Sequence, residues 1–330
     1  MPFEACAETL ISFPDHVFAE EVLPQIQLSQ KKFLSNTDSV ALDSVHGLAF
    51  HRGLGYPDKS PLQKYLSPET IAAYSTAAYA KSNFSIVANG ADHGELSKWV
   101  GEFFKGYSVA PVAGAPKIES AQAKYCGGEE RIAQGSGNTM VLGFPGSSSF
   151  TGGFYKPEIQ VLASLLGGES SIKWSPSFSL LAKATSGLTG LHVKTKSAIY
   201  SDAGLLYILM NGSAANVAKA AHEAVKTIKA VASGQISKED VQKAKASAKF
   251  KELEYGQATD AAIELTGAGL VHSGKAYQID ETAKAIDGVT EERVKQVSAT
   301  FLQCRIQRDT YTNIGCRRIV EAKGKCICRW

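Results

Sequence analysis

The segment VALDSVHGLAFHRG, Val40 to Gly53, returns 221 residues later as AAIELTGAGLVHSG, Ala261 to Gly274. At that offset Leu42 meets Ile263, Asp43 meets Glu264, His51 meets His272 and Gly53 meets Gly274. A second match follows two residues out of register, where LSPETI (Leu66 to Ile71) lines up with VTEERV (Val289 to Val294). Each places a hydroxyl cap ahead of a helix with acid in its first turn. A period this long marks a duplicated domain rather than a solenoid, so the sequence predicts two similar lobes of mixed helix and strand.

The offset also bounds the two units. The second begins near Lys124, whereas the first has only about forty residues ahead of its repeated segment, so whole lobes imply roughly 100 further residues upstream of Met1. On this reading residues 1–106 are the closing part of a first, incomplete lobe and residues 124–302 are the second. Between them, at 107–123, lies a linker that opens on Tyr107–Pro116, rich in Pro, Ala and Gly and without periodicity. The first lobe follows its helix, Pro68 to Ala80, with an apolar strand, Asn83 to Asn89. The matching slot after Phe301 holds Gln303–Asp309, which is polar and basic and not the same strand.

No apolar run approaches the length of a membrane span; Ala203–Met210 has the length of a buried strand. The opening MPFEACAETLISFPD has three acids and no Lys or Arg, unlike a secretory n-region or an Arg-rich presequence. Of 35 basic and 32 acidic residues, seven and two fall in 303–330, which leaves a body of 28 basic and 30 acidic residues. Such a body lacks the basic stripe that neutralising nucleic-acid phosphates requires. Cys304, Cys316, Cys326 and Cys328 crowd the same tail, while the body holds Cys6 and Cys126 alone, in keeping with a reducing compartment. The tail spacings do not match the paired Cys-x-x-Cys hooks of zinc ribbons, and the expectation for 303–330 is a disordered, basic, cysteine-rich extension.

In the second lobe Ser213 caps a helix with Val217, Ala221, Ala224, Val225, Ile228 and Val231 at helical spacing and Gly234 past its end. Ser237–Asp240 opens another helix with a capping-box pattern. Thr139–Phe144, Leu191–Val193 and Ala203–Met210 read as strands, with a helix from about Lys156 to Leu166; in the first lobe Gly94–Phe104 reads as a helix. The expected fold class is α+β, a mostly antiparallel sheet with helices over one face.

The chemistry-bearing residues are sparse. His46 and His51 are five apart, which turns them about 140° around a helix, so they cannot share an ion as an i, i+4 pair does. His51, before Arg52-Gly53, reads as a cation at a helix C-terminus. His222 shares a face with Lys226 and Lys229 and reads as solvated, while His16, His93, His192 and His272 stand alone. The glycine-bearing stretch Leu165–Trp174 lacks the spacing and preceding strand of a dinucleotide or phosphate loop, and fits better as a loop that grips a partner segment. No Gly-x-Ser-x-Gly elbow occurs, and the body's cysteines lack an adjacent base. No catalytic, cofactor-binding or metal-ligating residue is assigned, and no cofactor is expected.

Several long segments carry a family resemblance. Gly47–Phe104 resembles the closing half of a lobe in the pitrilysin-like metallopeptidase superfamily. NTMVLGFPG (Asn138–Gly146), LASLLGGESSIKWSPSFSLLAKA (Leu162–Ala184), YSDAGLLYILMNG (Tyr200–Gly212) and ISKEDVQKAKASAKFKELE (Ile236–Glu254) resemble successive parts of the next lobe. The resemblance covers about residues 15–302. Active members carry a His-x-x-Glu-His zinc motif in the first half of their first lobe, upstream of anything in this sequence. Within the superfamily the resemblance points to the non-catalytic core subunits of ubiquinol-cytochrome c reductase, respiratory complex III. It implies a scaffold on the matrix side of the mitochondrial inner membrane, beside a core protein 1 paralogue and the other subunits. The alternatives it leaves are a non-catalytic, α-type subunit of the mitochondrial processing peptidase, or a zinc peptidase whose active-site half lies elsewhere.

Overall fold

The structure is a computed structural model that describes residues 15–59, 65–80, 83–105, 123–135, 137–168 and 177–303. The linker apart from Ala123, most of the glycine-bearing stretch and the cysteine-rich tail after Gln303 lie outside these residues.

The N-terminal part is helical. A short helix, Asp15–Val17, passes through a π turn, Phe18–Val22, into α1 (Leu23–Ser35). Asn36 breaks the run in an extended conformation, and its side chain accepts the Asp38 and Ser39 amides to cap α2 (Thr37–Phe50). Ser67 caps α3 (Pro68–Ala78) in a reciprocal box with Thr70, and Asp92 caps α4 (His93–Phe103).

The second part is built on one antiparallel sheet. Strands β1 (Asn138–Pro145), β2 (His192–Ile199) and β3 (Gly204–Gly212) take the order β1-β3-β2. Between β1 and β2 come α5 (Pro157–Leu166) and α6 (Leu180–Thr185). After β3 come α7 (Ala214–Ala232), α8 (Lys238–Gln257), α9 (Thr259–Ser273), α10 (Ile279–Asp287) and α11 (Glu291–Gln303). The expected caps are in place: Ser213 Oγ accepts the Asn216 amide, and Ser237 Oγ accepts the Asp240 amide.

Alternation along β3 divides the sheet's two faces. Leu206, Ile208 and Met210, fully buried, point into a cluster with Leu162, Leu165 and Leu166 of α5, Leu181 of α6, Val231 of α7, Ile286 of α10 and Val294 of α11. Phe301 at the end of α11 stacks on Phe144 of β1, ring centroids 4.9 Å apart. Leu205 points the other way, into a smaller cluster with Ala49 and Phe50 of α2.

Two expectations are corrected. The sheet does not carry helices on one face alone: α2, from the N-terminal part, covers β1 and β3 on the second face. Its apolar residues are spread around the helix rather than gathered in one stripe, and Ala49 and Phe50 in its last turn are buried. Asn83–Asn89 is not a strand. It has no ladder partner among the described residues, and instead lies against α9, where Ser85 Oγ donates to Gly267 O at 3.2 Å. An apolar run with strand composition becomes a strand only where another edge receives its amides.

Candidate functional site

The most developed polar arrangement outside the core is the seam between α2 and the sheet. At the N-terminal end of α2, Asp38 Oδ1 accepts hydrogen bonds from Thr139 Oγ1 and Asn211 Nδ2, both at 2.6 Å. Asn211 Nδ2 also reaches Thr139 Oγ1 at 2.9 Å, because Thr139 and Asn211 are cross-strand partners in the β1–β3 ladder. The carboxylate sits in the first turn, where it also faces the positive end of the helix. Midway along, a Cβ on Gly143 would stand 2.7 Å from Val45 Cγ2, so the strand glycine is what lets the helix approach.

Near the C-terminal end His46 joins the seam. Its Nδ1 lies 2.7 Å from Leu42 O, a group that can only accept, so Nδ1 carries a proton, and Nε2 is hydrogen-bonded to the Tyr200 hydroxyl at 2.7 Å. Phe50 and His46 both meet the Tyr200 ring edge-on. Burial, and then the neighbouring Tyr207, raise the Tyr200 phenol above its ordinary value, which keeps it a neutral donor.

The segment 123–135 closes the outer side of α2. Cys126 N–H donates to Ala49 O, satisfying a last-turn carbonyl of the helix. Ser44 Oγ donates to Glu130 Oε2, Gln134 Nε2 to Leu34 O, and the Tyr125 hydroxyl to Gly143 O. A Cβ at Gly128 would stand 2.8 Å from Leu48 Cδ2. Helix α2 is thus held between a sheet and a strap, each approaching it closely at a glycine.

The other residues weighed in the sequence do not converge. His51 caps α2 at φ 57°, exposed, with Nδ1 turned to Gly47 O, at the helix C-terminus where it was expected. His46 points to Tyr200 instead, so the pair does not meet. His16, His93, His192, His222 and His272 are all exposed. Among the described residues no group of three or more His, Cys, Asp and Glu is placed to hold a metal ion. The visible part of the glycine-bearing stretch is a tight bend: a Cβ at Gly168 would lie 2.1 Å from Val193 O, and Ser179 Oγ accepts the Gly168 amide at 3.0 Å. That bend fixes where the stretch leaves α5, beside β2.

Between α5 and α8, Glu252 accepts from Tyr277 Oη at 2.9 Å and Gln160 Nε2 at 3.1 Å. Burial and then the Glu252 charge push the Tyr155 phenol well above its ordinary value. The group binds two helices and a loop together and presents no nucleophile or base to a cleft.

Sequence reasoning passed over Asp38, Thr139, Tyr200 and Asn211. A mid-strand Asn opposite a Thr is a faint signal, and it acquires meaning only once the register makes them partners.

With this geometry in view, the comparisons place the chain. The family described as Peptidase M16 inactive domain matches residues 65–248, more than half of the chain, and the chain belongs to that family. Among curated proteins it is 42% identical over 304 residues to the mitochondrial cytochrome b-c1 complex subunit 2 of Neurospora crassa, covering 91% of this chain and 65% of that protein. It is 33% identical to the protein of the same description from Schizosaccharomyces pombe, over 86% of this chain and 64% of the relative. The chain therefore spans about two thirds of the length of these relatives. In fold it is similar to a chain of Complex III2 from Candida albicans with Inz-5 bound, at a TM-score of 0.72 and 16% identity, covering 90% of this chain and 71% of that one.

Proposed function

We propose that the chain is part of a non-catalytic core subunit of mitochondrial ubiquinol-cytochrome c reductase, a scaffold rather than a peptidase. The observation that carries this reading is the 42% identity, sustained over 304 residues, to a protein described as cytochrome b-c1 complex subunit 2. The seam agrees with it: the conspicuous polar groups, Asp38, His46, Tyr200 and Asn211, are spent on joining one part of the molecule to another. The subunit would lie on the matrix side of the inner membrane, attached through a core protein 1 paralogue and other subunits. Among the described residues no helix is long and apolar enough to cross a membrane.

The same reading takes residues 1–106 as the closing part of a first lobe and residues 124–302 as a second lobe duplicated from it, joined by 107–123. Supporting it, α2 and α9 occupy the repeated segments, and Gly53 and Gly274, equivalent at the 221-residue offset, both follow their helices at positive φ, 58° and 67°.

Affinity purification of the tagged protein from mitochondria tests the function. Co-purification of b- and c-type cytochromes is the expected result. A soluble matrix heterodimer that cleaves presequences, with no cytochrome, would transfer the chain to the processing-peptidase alternative.

A further inference from the structure

Two asparagines of the chain precede a glycine, Asn89 and Asn211. An Asn-Gly pair is prone to spontaneous ring closure, because a glycine leaves its amide nitrogen open to the preceding side chain and lets the backbone turn to bring the two together. The glycine nitrogen gives its proton to hydroxide and attacks Asn Cγ; the N–Cγ bond forms, the Cγ–Nδ2 bond breaks, and Nδ2 leaves as ammonia. Water then opens the succinimide at either carbonyl, giving aspartate or isoaspartate. The structure treats the two pairs differently. Asn89 and Gly90 lie exposed in a bend, with Gly90 at φ 76° and nothing within 4 Å of where its Cβ would stand. Asn211 and Gly212 end the central strand β3, where Asn211 faces Thr139 on one side and His192 on the other. Its Nδ2, the atom that must leave, donates to Asp38 Oδ1 and Thr139 Oγ1. Backbone crowds the glycine as well: a Cβ on Gly212 would stand 2.8 Å from Gly190 O. Ring closure at 211 requires the residue to leave its extended conformation and Nδ2 to leave Asp38.

We infer that Asn211-Gly212 is a latent deamidation site that the α2 seam holds closed, and that its conversion makes an opening of the seam permanent. An aspartate at 211 replaces the donor beneath Asp38 with a second carboxylate, so Asp38 loses a hydrogen bond and gains a like charge beside it. Isoaspartate adds a methylene to the main chain and shifts the end of β3 against β1. Asn89, converting in its open bend, touches nothing in the seam and serves as an internal clock. The inference is independent of the complex III assignment and of the duplication.

The test ages the purified full chain, together with whatever partners co-purify, at mildly alkaline pH and reads both asparagines from the same peptide map. In the native protein Asn89 should convert at least about a hundredfold faster than Asn211, and in urea the two should convert alike. In Asp38→Ala the conversion of Asn211 should rise about tenfold while Asn89 keeps its rate. Conversion of Asn211 at the Asn89 rate in the native protein, or a rate unmoved by Asp38→Ala, would show that the seam is not the gate. A difference that persists undiminished in urea would assign the protection to local sequence and overturn the inference equally. The locking step has its own readout. Asn211→Asp should speed hydrogen exchange in α2 and 123–135, and adding Asp38→Asn should restore protection by returning one amide and one carboxylate to the pair. Exchange unchanged by Asn211→Asp, or not restored by the second substitution, would mean that conversion leaves the seam free to close again.

Discussion

The two faces of the three-stranded sheet are joined to their helices by different means. On one face Leu206, Ile208 and Met210 enter a continuous apolar cluster fed by six helices. On the other, Leu205 meets Ala49 and Phe50 of a single helix, and the contact is completed by hydrogen bonds at both ends of that helix. Burial is non-directional and scales with area, so the first face gains stability from extent. The second has little area, and its helix is fixed in rotation and register by Asp38 at one end and His46 at the other. A large core sets whether the unit folds; a narrow seam with directional bonds sets how a second element sits upon it.

Leu205 and Leu206 allow the sharpest attempt to break that contrast. They are adjacent, identical in chemistry and equally buried, but face opposite ways. Leu206→Ala leaves a cavity walled by several helices and should cost toward the upper end of about 2–5 kcal/mol, whereas beneath Leu205 a single helix can settle and the cost should fall toward the lower end. Urea denaturation of the assembled protein measures both. Equal losses would mean that the seam is packed as rigidly as the core.

A smaller loss is expected from Asp38→Ala, which strands the Thr139 and Asn211 donors, at about 1–3 kcal/mol. Asp38→Asn keeps an acceptor in place and should recover part of it. The distinguishing readout is hydrogen exchange: amides of 123–135 and α2 should exchange faster while those of β3 and α7 keep their protection. Loosening spread evenly over both faces would show that the sheet's two sides unfold as one. Tyr200→Phe should do less, about 0.5–1.5 kcal/mol, since it removes one hydrogen bond and keeps the ring against Phe50 and His46.

The contrast also explains what was legible in the sequence. Local signals wrote the core face: Ser213 and Ser237 announce α7 and α8, and the apolar spacing from Val217 to Val231 gives the buried stripe. Each depends on neighbours within one or two turns. The seam depends on a pairing across more than 150 residues, His46 with Tyr200 and Asp38 with Asn211, and nothing near His46 distinguishes it from a solvated histidine. Asn83–Asn89 was misread for the same cause, because strand composition cannot say whether an edge is available. The repeat aligns the segments of α2 and α9 in sequence, but the face each helix buries had to come from the fold.

The smallest expected effect lies among the helices on the core face of the sheet, where a polar bond reinforces a contact already secured by area. Asp240, in the first turn of α8, accepts from Ser237 Oγ at 2.8 Å and from Lys183 Nζ of α6 at 3.1 Å. Burial raises its carboxyl, but the bonds from Ser237 and Lys183 outweigh this and hold it below the ordinary 3.8. A depressed carboxyl contributes stability above its unfolded value and loses it as pH falls through the folded one. Asp240→Asn should therefore cost less than about 1 kcal/mol at neutral pH, solvent screening included, with the gap from the parent closing as pH drops below the ordinary value. Melting temperatures at pH 7 and in acid measure it. Were the gap to exceed that of Tyr200→Phe, directional bonds would matter as much inside the core unit as at the seam, and the division between the two faces would have to be redrawn.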